Sequence, residues 1–202
     1  MHILGAGGHA KVVLDILLES NQEIHGIWDE NPELEFFFGF PVKGNFNALK
    51  EMGLNQVIIA IGNNLVRKKL SRELAHTVAI AIHPRSVVSR LSRVGVGSMI
   101  MANSTINAGA IVGEYVIVNT NASVDHDCTV GDFVHISPKA GLGGNVQVGE
   151  GTHIGLGASV IQGIKIGKWA TIGAGAVIIK DVPDYAVVVG NPGRIIKYNK
   201  TI

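Results

Sequence analysis

The residues best suited to chemistry in this sequence surround one histidine that has a carboxylate on either side. His126 stands in the run Asp125-His126-Asp127. A neighbouring carboxylate fixes the tautomer of an imidazole and raises its basicity, which suits a general base. The pattern therefore predicts that His126 removes a proton from a substrate, and a solvated surface histidine in a polar loop is the alternative.

Two glycines are predicted to lie beside this histidine. Gly144 follows His126 by eighteen residues, which is one coil of the repeat described below, so it should lie directly above the imidazole. Gly143 and Gly144 leave room for a ligand and expose amide N–H groups, which can stabilise a developing oxyanion. By the same spacing His153 lies above His135, and we expect His153 to be structural.

A second set of candidate residues fits the binding of a phosphate. The run Gly5-Ala6-Gly7-Gly8-His9-Ala10 follows a predicted strand and precedes a helix, as in the Gly/Ala form of the dinucleotide fingerprint. Asp29 ends the second predicted strand, where a ribose-binding carboxylate is expected. Residues 1–82 are half a full dinucleotide fold, so one nucleotide fits better than NAD. A purely structural tight turn is the alternative.

Asn63 and Arg67 follow the next buried strand. Ligands of open α/β sheets lie outside the carboxyl ends of the strands, so these side chains could contact a base or a pyrophosphate. A helix cap with a solvated basic face explains them equally well.

The elements that position these residues are set by a six-residue repeat. An aliphatic residue recurs at every sixth position from Val88 to Ile178. This period matches neither a helix nor a sandwich strand, and it is typical of a hexapeptide β-helix. Three hexapeptides form one coil, and successive coils are expected about 4.8 Å apart. Glycines spaced by one coil should stack at one corner of the prism: Gly95, Gly113, Gly131, Gly149 and Gly167.

The chain is thus predicted to contain a small α/β Rossmann-like domain over residues 1–82 and a parallel β-helix over residues 83–202. The predicted strands of the first domain are His2–Leu4, Ile24–Trp28, Phe40–Val42, Val57–Ile61 and Val78–Ile82. Its predicted helices are Lys11–Glu19, a segment near Asn45–Met52, and Leu65–Ala75.

Composition narrows the possible functions. Charged residues make up 16% of the chain and the formal net charge is +1, so nothing indicates nucleic acid or an anionic membrane as a partner. The single cysteine, Cys128, excludes an internal disulfide framework, and its small-residue position indicates packing rather than nucleophilic catalysis. The sequence predicts no signal peptide and no membrane span, so a cytoplasmic location is expected.

The motifs together resemble one branch of the left-handed β-helix acyltransferases, the sialic-acid O-acetyltransferase-like family. This branch includes the N-acetyltransferases of UDP-4-amino-sugars in the bacillosamine pathway and of GDP-perosamine. The resemblance rests on the hexapeptide array, the Gly-Ala-Gly-Gly-His-Ala start, and the runs Ile59–Asn64, Asp125–Cys128 and Gly143–Val146, with His135. It implies a homotrimer with active sites between neighbouring prisms, acetyl-CoA as donor, a nucleotide-linked amino-sugar as acceptor, and no metal.

The resemblance also implies roles for individual residues. The catalytic base falls on His126, with Asp127 as the carboxylate that orients it. The further catalytic residues implied are Asn119 and His135, the latter near the thioester. The acetyl-CoA contacts implied are His135, Gly143, Gly144, Leu156, Ala174 and Arg194. The nucleotide-sugar contacts implied are Gly7, Gly8, His9, Asp29, Asn63 and Arg67.

The predicted reaction is direct transfer. His126 accepts a proton from the sugar amine as the amine attacks the thioester carbonyl, and backbone N–H near Gly144 holds the oxyanion. Three alternatives remain: a sugar O-acetyltransferase, a metal-dependent carbonic anhydrase that uses His126, His135 and His153, and a non-catalytic nucleotide-sugar-binding protein.

Overall fold

The first part of the chain forms a small α/β domain; the structure, a computed structural model, describes residues 1–74 and 79–200. The elements of this domain are β1 (His2–Leu4), α1 (Gly8–Glu19), β2 (Gly26–Trp28), β3 (Phe36–Phe37), β4 (Phe40–Pro41), α2 (Phe46–Glu51), β5 (Val57–Ile59) and α3 (Asn64–Glu73). β1 lies between β2 and β5 in a parallel sheet, and β3 pairs with β4 in a hairpin. Within the two described ranges, no helix combines the length and the apolar character needed to cross a membrane.

The predicted helices of this domain are present with shifted ends. α1 begins at Gly8 rather than Lys11, because Gly7 has an extended backbone and forms the N-cap. The buried residues of α1 recur at helical spacing and pack on the sheet. α3 begins at Asn64, where the side chain of Asn63 accepts a hydrogen bond from the N–H of Val66 at 3.0 Å. Its predicted end, Ala75, lies outside the described residues.

The last predicted strand, Val78–Ile82, does not close the sheet of this domain. Val78 lies outside the described residues, and the described part, β6 (Ala81–Ile82), pairs in parallel with Met99–Ile100 of the β-helix. Ile82 precedes Val88 by six residues, so Ile82 already fits the six-residue repeat. The β-helix therefore begins before the predicted division at residue 82.

Two-residue parallel strands form a three-sided β-helix. We call its sides the docking face, on which the α/β domain packs, the small-residue face and the charged face. The docking face contains β6, β9 (Met99–Ile100), β12 (Ile117–Val118), β15 (His135–Ile136), β18 (His153–Ile154), β21 (Thr171–Ile172), β23 (Ala186–Val189) and the antiparallel edge strand β24 (Arg194–Tyr198). The small-residue face contains β7 (Val87–Val88), β10 (Thr105–Ile106), β13 (Ser123–Val124), β16 (Gly141–Leu142), β19 (Ser159–Val160) and β22 (Val177–Ile178). The charged face contains β8 (Arg93–Val94), β11 (Ile111–Val112), β14 (Thr129–Val130), β17 (Gln147–Val148) and β20 (Lys165–Ile166).

The predicted register of the β-helix is confirmed. Each strand pairs with the strand one coil away, as Val124 does with Leu142. The aliphatic residues at every sixth position, from Ile100 to Ile178, are buried in one continuous core, and Val88 and Val94 pack against its end. The predicted glycine column also forms, since a Cβ on Gly95 would overlap the backbone of Gly113.

The corners between the faces share one backbone conformation. The first corner (residues 119–122 and their equivalents) joins the docking face to the small-residue face. The second corner (125–128 and their equivalents) joins the small-residue face to the charged face. The third corner (131–134 and their equivalents) joins the charged face to the docking face. Every sixth residue from Gly97 to Gly175 has a positive φ between 53° and 76°. Glycine, asparagine and aspartate adopt this conformation most readily, which accounts for their recurrence at these positions.

Helix α3 fastens the α/β domain to the third corner. The ammonium of Lys68 pairs with the carboxylate of Glu150 and lies 5.9 Å and 5.0 Å from the ring centroids of Phe133 and Trp169. Gly151, one coil from both aromatic residues, has a φ of +68°. A Cβ on Gly151 would lie 2.4 Å from the ring of Trp169, so the lack of a side chain at Gly151 lets this ring pack directly on the backbone.

We expect Ile106→Ala to destabilise the protein by about 2–5 kcal/mol, because it leaves a cavity in a close-packed core. Ile106 is fully buried. Chemical denaturation followed by circular dichroism measures the loss. Ile111→Ala is the control, since Ile111 is 48% exposed on the charged face. Equal losses in the two variants would contradict the assignment of the inner column.

Candidate active site

His126 lies at the second corner with an oriented and accessible ring. Its Nδ1 is 2.9 Å from Oδ2 of Asp127, and 61% of its side chain is exposed. A carboxylate only accepts hydrogen bonds, so Nδ1 carries the proton and Nε2 is the free basic nitrogen. The hydrogen bond donated to Asp127, followed by the charge of Asp125, raises the pKa of His126 above its ordinary value.

The two carboxylates beside His126 have different tasks. Oδ1 of Asp125 accepts hydrogen bonds from Nδ2 of Asn107 at 2.7 Å and from the backbone N–H of His126 at 2.8 Å. The bond from Asn107 is the largest of the effects that lower the pKa of Asp125. Asp125 therefore shapes the corner, whereas Asp127 orients the imidazole.

The next coil places Gly144 against the free side of this ring. A Cβ on Gly144 would lie 2.6 Å from Nε2 of His126. The N–H of Gly143 donates to the carbonyl of Val160 at 2.9 Å, whereas the N–H of Gly144 has no acceptor in the part of the chain that the structure describes. The amide offered to a ligand at this corner is thus that of Gly144.

Cys128, on the same corner, is buried and packs in the core as predicted. Its Sγ donates to the carbonyl of Gly143 at 3.2 Å, and burial raises the pKa of the thiol. Both facts oppose a nucleophilic role.

The other predicted acetyl-CoA contacts lie on a different edge of the prism. Leu156 and Ala174 occupy the first corner in two successive coils, and the predicted catalytic residue Asn119 lies on the same corner two coils before Leu156. The N–H of Gly175 bonds the carbonyl of Leu156 at 2.8 Å. Arg194 is exposed at the start of β24 and lines a cavity of about 220 Å³. Within one chain the structure does not bring His126 together with Asn119 or His135.

The predicted phosphate loop and ribose carboxylate do lie together. Oδ2 of Asp29 accepts a hydrogen bond from the N–H of Ala6 at 2.7 Å, and Oδ1 accepts one from Asn31 at 3.0 Å. A Cβ on Gly7 or Gly8 would meet no atom within 4 Å, so the backbone at the start of α1 is open to a ligand. This arrangement suits an anion at the helix N-terminus beside a carboxylate that accepts ribose hydroxyls.

Three histidines line the boundary between the α/β domain and the docking face. The rings of His135 and His153 stack with centroids 4.9 Å apart, and His9 lies 6.1 Å from His135. Burial, followed by the charge of Arg67, lowers the pKa of His9 to about 4. Nε2 of His9 is buried and has no hydrogen-bond partner within residues 1–74 and 79–200. It is therefore a polar atom that a bound ligand could satisfy.

Both ring nitrogens of His135 already have partners in the protein. Nδ1 lies 3.3 Å from the carbonyl oxygen of Gly62, and Nε2 lies 3.0 Å from Nδ2 of Asn119. His135 therefore has no free nitrogen for a thioester, which argues against direct contact between this imidazole and the acetyl group.

Arg67 is not in position to contact a nucleotide-sugar, contrary to the prediction. Its side chain is fully buried, and the guanidinium donates to oxygens of five residues. These are the backbone carbonyls of Ile61, Gly62, Tyr115 and Phe133, and Oδ1 of Asn64. The prediction failed because a basic run after a strand looks like a solvated face, and only the burial of α3 against the third corner reveals otherwise.

A cavity of about 500 Å³ opens next to this boundary. Its lining includes Asn63, Asn64 and His135, which the sequence offers as candidates, and several residues that were not predicted to bind a ligand: His153, Trp169, Thr171 and Asn199. The side-chain oxygen of Asn63 already accepts the hydrogen bond that caps α3, so the role of Asn63 at this cavity is to shape the loop. His153 and Thr171 follow His135 at steps of eighteen residues, which was the signal available for finding them.

The histidines do not form a metal triad. His126 lies on the second corner, whereas His135 and His153 lie on the docking face, so one chain does not bring together the three imidazoles that the carbonic-anhydrase alternative requires. Across residues 1–74 and 79–200, no group of three or more His, Cys, Asp or Glu side chains is arranged to hold a metal ion.

Known proteins share this arrangement. Residues 1–74 match the PglD N-terminal domain. One such protein is a perosamine N-acetyltransferase from Caulobacter crescentus, which was solved with CoA and GDP-perosamine as a variant with one histidine changed to asparagine. It is 40% identical to this chain with a TM-score of 0.92, and the match covers 97% of this chain and 96% of that one. The acetyltransferase domain of PglB from Neisseria gonorrhoeae, in complex with acetyl coenzyme A, is 38% identical with a TM-score of 0.90, over 96% of this chain and 98% of that one.

Among curated proteins, the UDP-N-acetylbacillosamine N-acetyltransferase of Bacillus subtilis is 38% identical over 109 residues, which is 50% of this chain and 50% of that protein. The chain spans half or less of the length of the curated relatives that it matches. The resemblance predicted from the motifs is confirmed, and the solved relatives extend it to nearly the whole chain.

We expect NMR titration of the ring protons to give His126 a pKa above 6.5, the ordinary value. Asp127→Asn should lower this pKa, because the charged acceptor on Nδ1 is lost. Asp132→Asn, at the third corner, is the control and should leave it unchanged. A wild-type pKa at or below the ordinary value would show that Asp127 does not hold the ring in solution.

Proposed function

This chain belongs to the sialic-acid O-acetyltransferase-like family of left-handed β-helix acyltransferases, and on that premise we propose that it N-acetylates a nucleotide-linked amino-sugar. Acetyl-CoA is the donor, and the acceptor is an amine such as that of a UDP-4-amino-4,6-dideoxy-sugar. Relatives named for a perosamine and a bacillosamine substrate support the acceptor class. The single observation that carries the proposal is the pair His126–Asp127 beneath the unoccupied amide of Gly144.

The geometry supports direct transfer. Nε2 of His126 takes a proton from the sugar amine while the amine nitrogen bonds to the thioester carbonyl carbon. The N–H of Gly144 donates to the resulting oxyanion, in the preorganised manner that stabilises such intermediates. The C–S bond then breaks, and the CoA sulfur takes the proton from His126. The product is an amide and free CoA, so no acyl-enzyme is needed.

We also propose that the active site forms between copies of the chain in a trimer. The outward residues of the small-residue face are small and uncharged, including Thr105, Ser123 and Ser159, whereas the charged face presents Arg93 and Lys165. The docking face is already covered by the α/β domain. Only the small-residue face is thus both free and suited to close packing of a second copy.

Packing through that face would join the two halves of the site. It is bordered by the second corner, with His126 and Gly144, and by the first corner, with Asn119, Leu156 and Ala174. A cyclic arrangement around this face brings the second corner of one copy to the first corner of the next. The separation of these residues within one chain is what supports a shared site.

We expect the protein to release CoA from acetyl-CoA in the presence of one nucleotide-linked 4-amino-sugar, and not with its 4-hydroxy analogue. A thiol assay with UDP-, GDP- and dTDP-linked sugars measures this. His126→Asn should lower kcat by about 10²–10⁴, the usual contribution of a general base. His25→Asn, on the α/β domain, is the matched control.

The other results of this assay separate the alternatives. Release with a hydroxyl sugar alone would assign O-acetylation, and no release with any acceptor, despite tight nucleotide-sugar binding, would leave a binding protein. Full activity in His126→Asn would place the base elsewhere.

A mixing experiment tests the shared site. His126→Asn alters the second corner, and Ala174→Trp blocks the exposed first corner; each homomer should be inactive. Coexpression with two tags gives mixed trimers in which one of the three sites pairs two intact corners, so activity should reappear. Inactive mixed trimers would show that each site lies within one chain.

A further inference from the structure

We propose that Arg67 is a positioning residue. It links the loop after β5 (Ile61, Gly62 and Asn63) to the first corner through Gly62, His135 and Asn119. The proposal rests on the proposed function, because it assigns the first corner to the acetyl-transfer site. Arg67 lies at the point where the loop after β5 meets the β-helix, and it touches both. Its role is to hold one carbonyl group, and through it one tautomer of one histidine.

The guanidinium of Arg67 joins three separate backbone segments. Nη1 donates to the carbonyl of Ile61 at 2.9 Å and to that of Gly62 at 3.3 Å. On the β-helix, Nε donates to the carbonyl of Tyr115 at 2.8 Å, and Nη2 donates to the carbonyl of Phe133 at 2.9 Å. The planar fork of an arginine fixes these oxygens relative to one another, which a flexible lysine could not do.

The carbonyl of Gly62 is shared between Arg67 and His135. Its oxygen lies 3.3 Å from Nη1 of Arg67 and 3.3 Å from Nδ1 of His135. A carbonyl oxygen only accepts hydrogen bonds, so Nδ1 of His135 must carry a proton. Moving this carbonyl therefore removes the partner that selects the tautomer.

A second contact, made by Asn119, favours the same tautomer. The backbone N–H of Thr120 donates to Oδ1 of Asn119 at 2.8 Å, which fixes the orientation of the amide. The amide nitrogen of Asn119, 3.0 Å from Nε2 of His135, is then the donor, and Nε2 is an unprotonated acceptor. His135 is thus a neutral ring with its proton on Nδ1, in contact with both the loop and the first corner.

The charged groups around His135 favour the neutral ring. Burial, followed by the neighbouring His153, Arg67 and His9, lowers the pKa of His135 to about 3. The ring is therefore neutral over the whole range in which an amine acceptor reacts, so a change of tautomer is the only change of state open to it.

The consequence for catalysis is the placement of Asn119. One N–H of its amide donates a hydrogen bond to His135, and the other can donate to a ligand or to the second corner of a neighbouring copy. The loop of Ile61, Gly62 and Asn63 follows β5, and its Gly62 and Asn63 line the 500 Å³ cavity. A ligand that orders this loop thereby also sets the amide at the first corner.

The first test is the tautomer itself, measured on the full-length wild-type protein. Nitrogen-15 NMR of histidine-labelled protein, with His135→Gln used for assignment, should show a protonated Nδ1 and an unprotonated Nε2 from pH 5 to 8 (about the pKa range of free histidine). The opposite tautomer would overturn the proposal. This measurement does not depend on activity, so it separates failure of the proposal from failure of the proposed function.

The second test compares two substitutions on the same helix. Arg67→Lys should fold, lose the single tautomer of His135, and lower kcat by about 10²-fold, the effect of a misplacement near 1 Å, with little change in KM. Lys68→Met weakens the same domain contact without touching Gly62, and it should retain the tautomer and kcat within about twofold. Equal losses in both variants, or an unchanged tautomer in Arg67→Lys, would show a merely structural role.

Discussion

The hydrogen-bonded ladder between coils is the constraint on which the rest of the structure depends. Parallel pairing at a register of one coil places every sixth residue inside and aligns each corner with the corner above it. A shift of one residue would turn the whole aliphatic column outward. The same register sets Gly144 over His126. The alignment of the His126 imidazole with the Gly144 backbone thus follows from the packing of the core and needs no separate loop to maintain it.

The attachment of the α/β domain follows a different principle, since it places a charge in the interior. Arg67 is fully buried, and no carboxylate of residues 1–74 and 79–200 bonds its guanidinium. Burial lowers its pKa to about 9. An unpaired buried charge costs several kcal/mol, which hydrogen bonds to five oxygen-bearing residues offset. The geometry of these bonds is specific, so the domain has one docking position. Lys68, between two aromatic rings and Glu150, adds a second polar attachment beside it.

The sequence predicts the structure well where a residue type serves a single physical purpose at its position. The aliphatic period, the stacked glycines and the pairing of Asp29 with the glycine loop could all be predicted, because the corresponding rules act locally or at a fixed step. Arg67 could not, because its burial depends on how α3 meets a corner nearly fifty residues later. The prediction placed Ile82 in the wrong sheet. Its position in the six-residue period indicated the β-helix, but an apolar run after a helix also suits a strand of the α/β domain.

The exposure of His126 in a single chain explains why Asp127 is needed. A neighbouring copy that covers this corner would remove water from the imidazole, and desolvation lowers the pKa of a histidine. A base whose pKa falls far below the working pH takes protons poorly. The hydrogen bond that Nδ1 of His126 donates to Asp127 raises the pKa. In the proposed trimer, the carboxylate of Asp127 would therefore oppose the effect of desolvation on the pKa of His126.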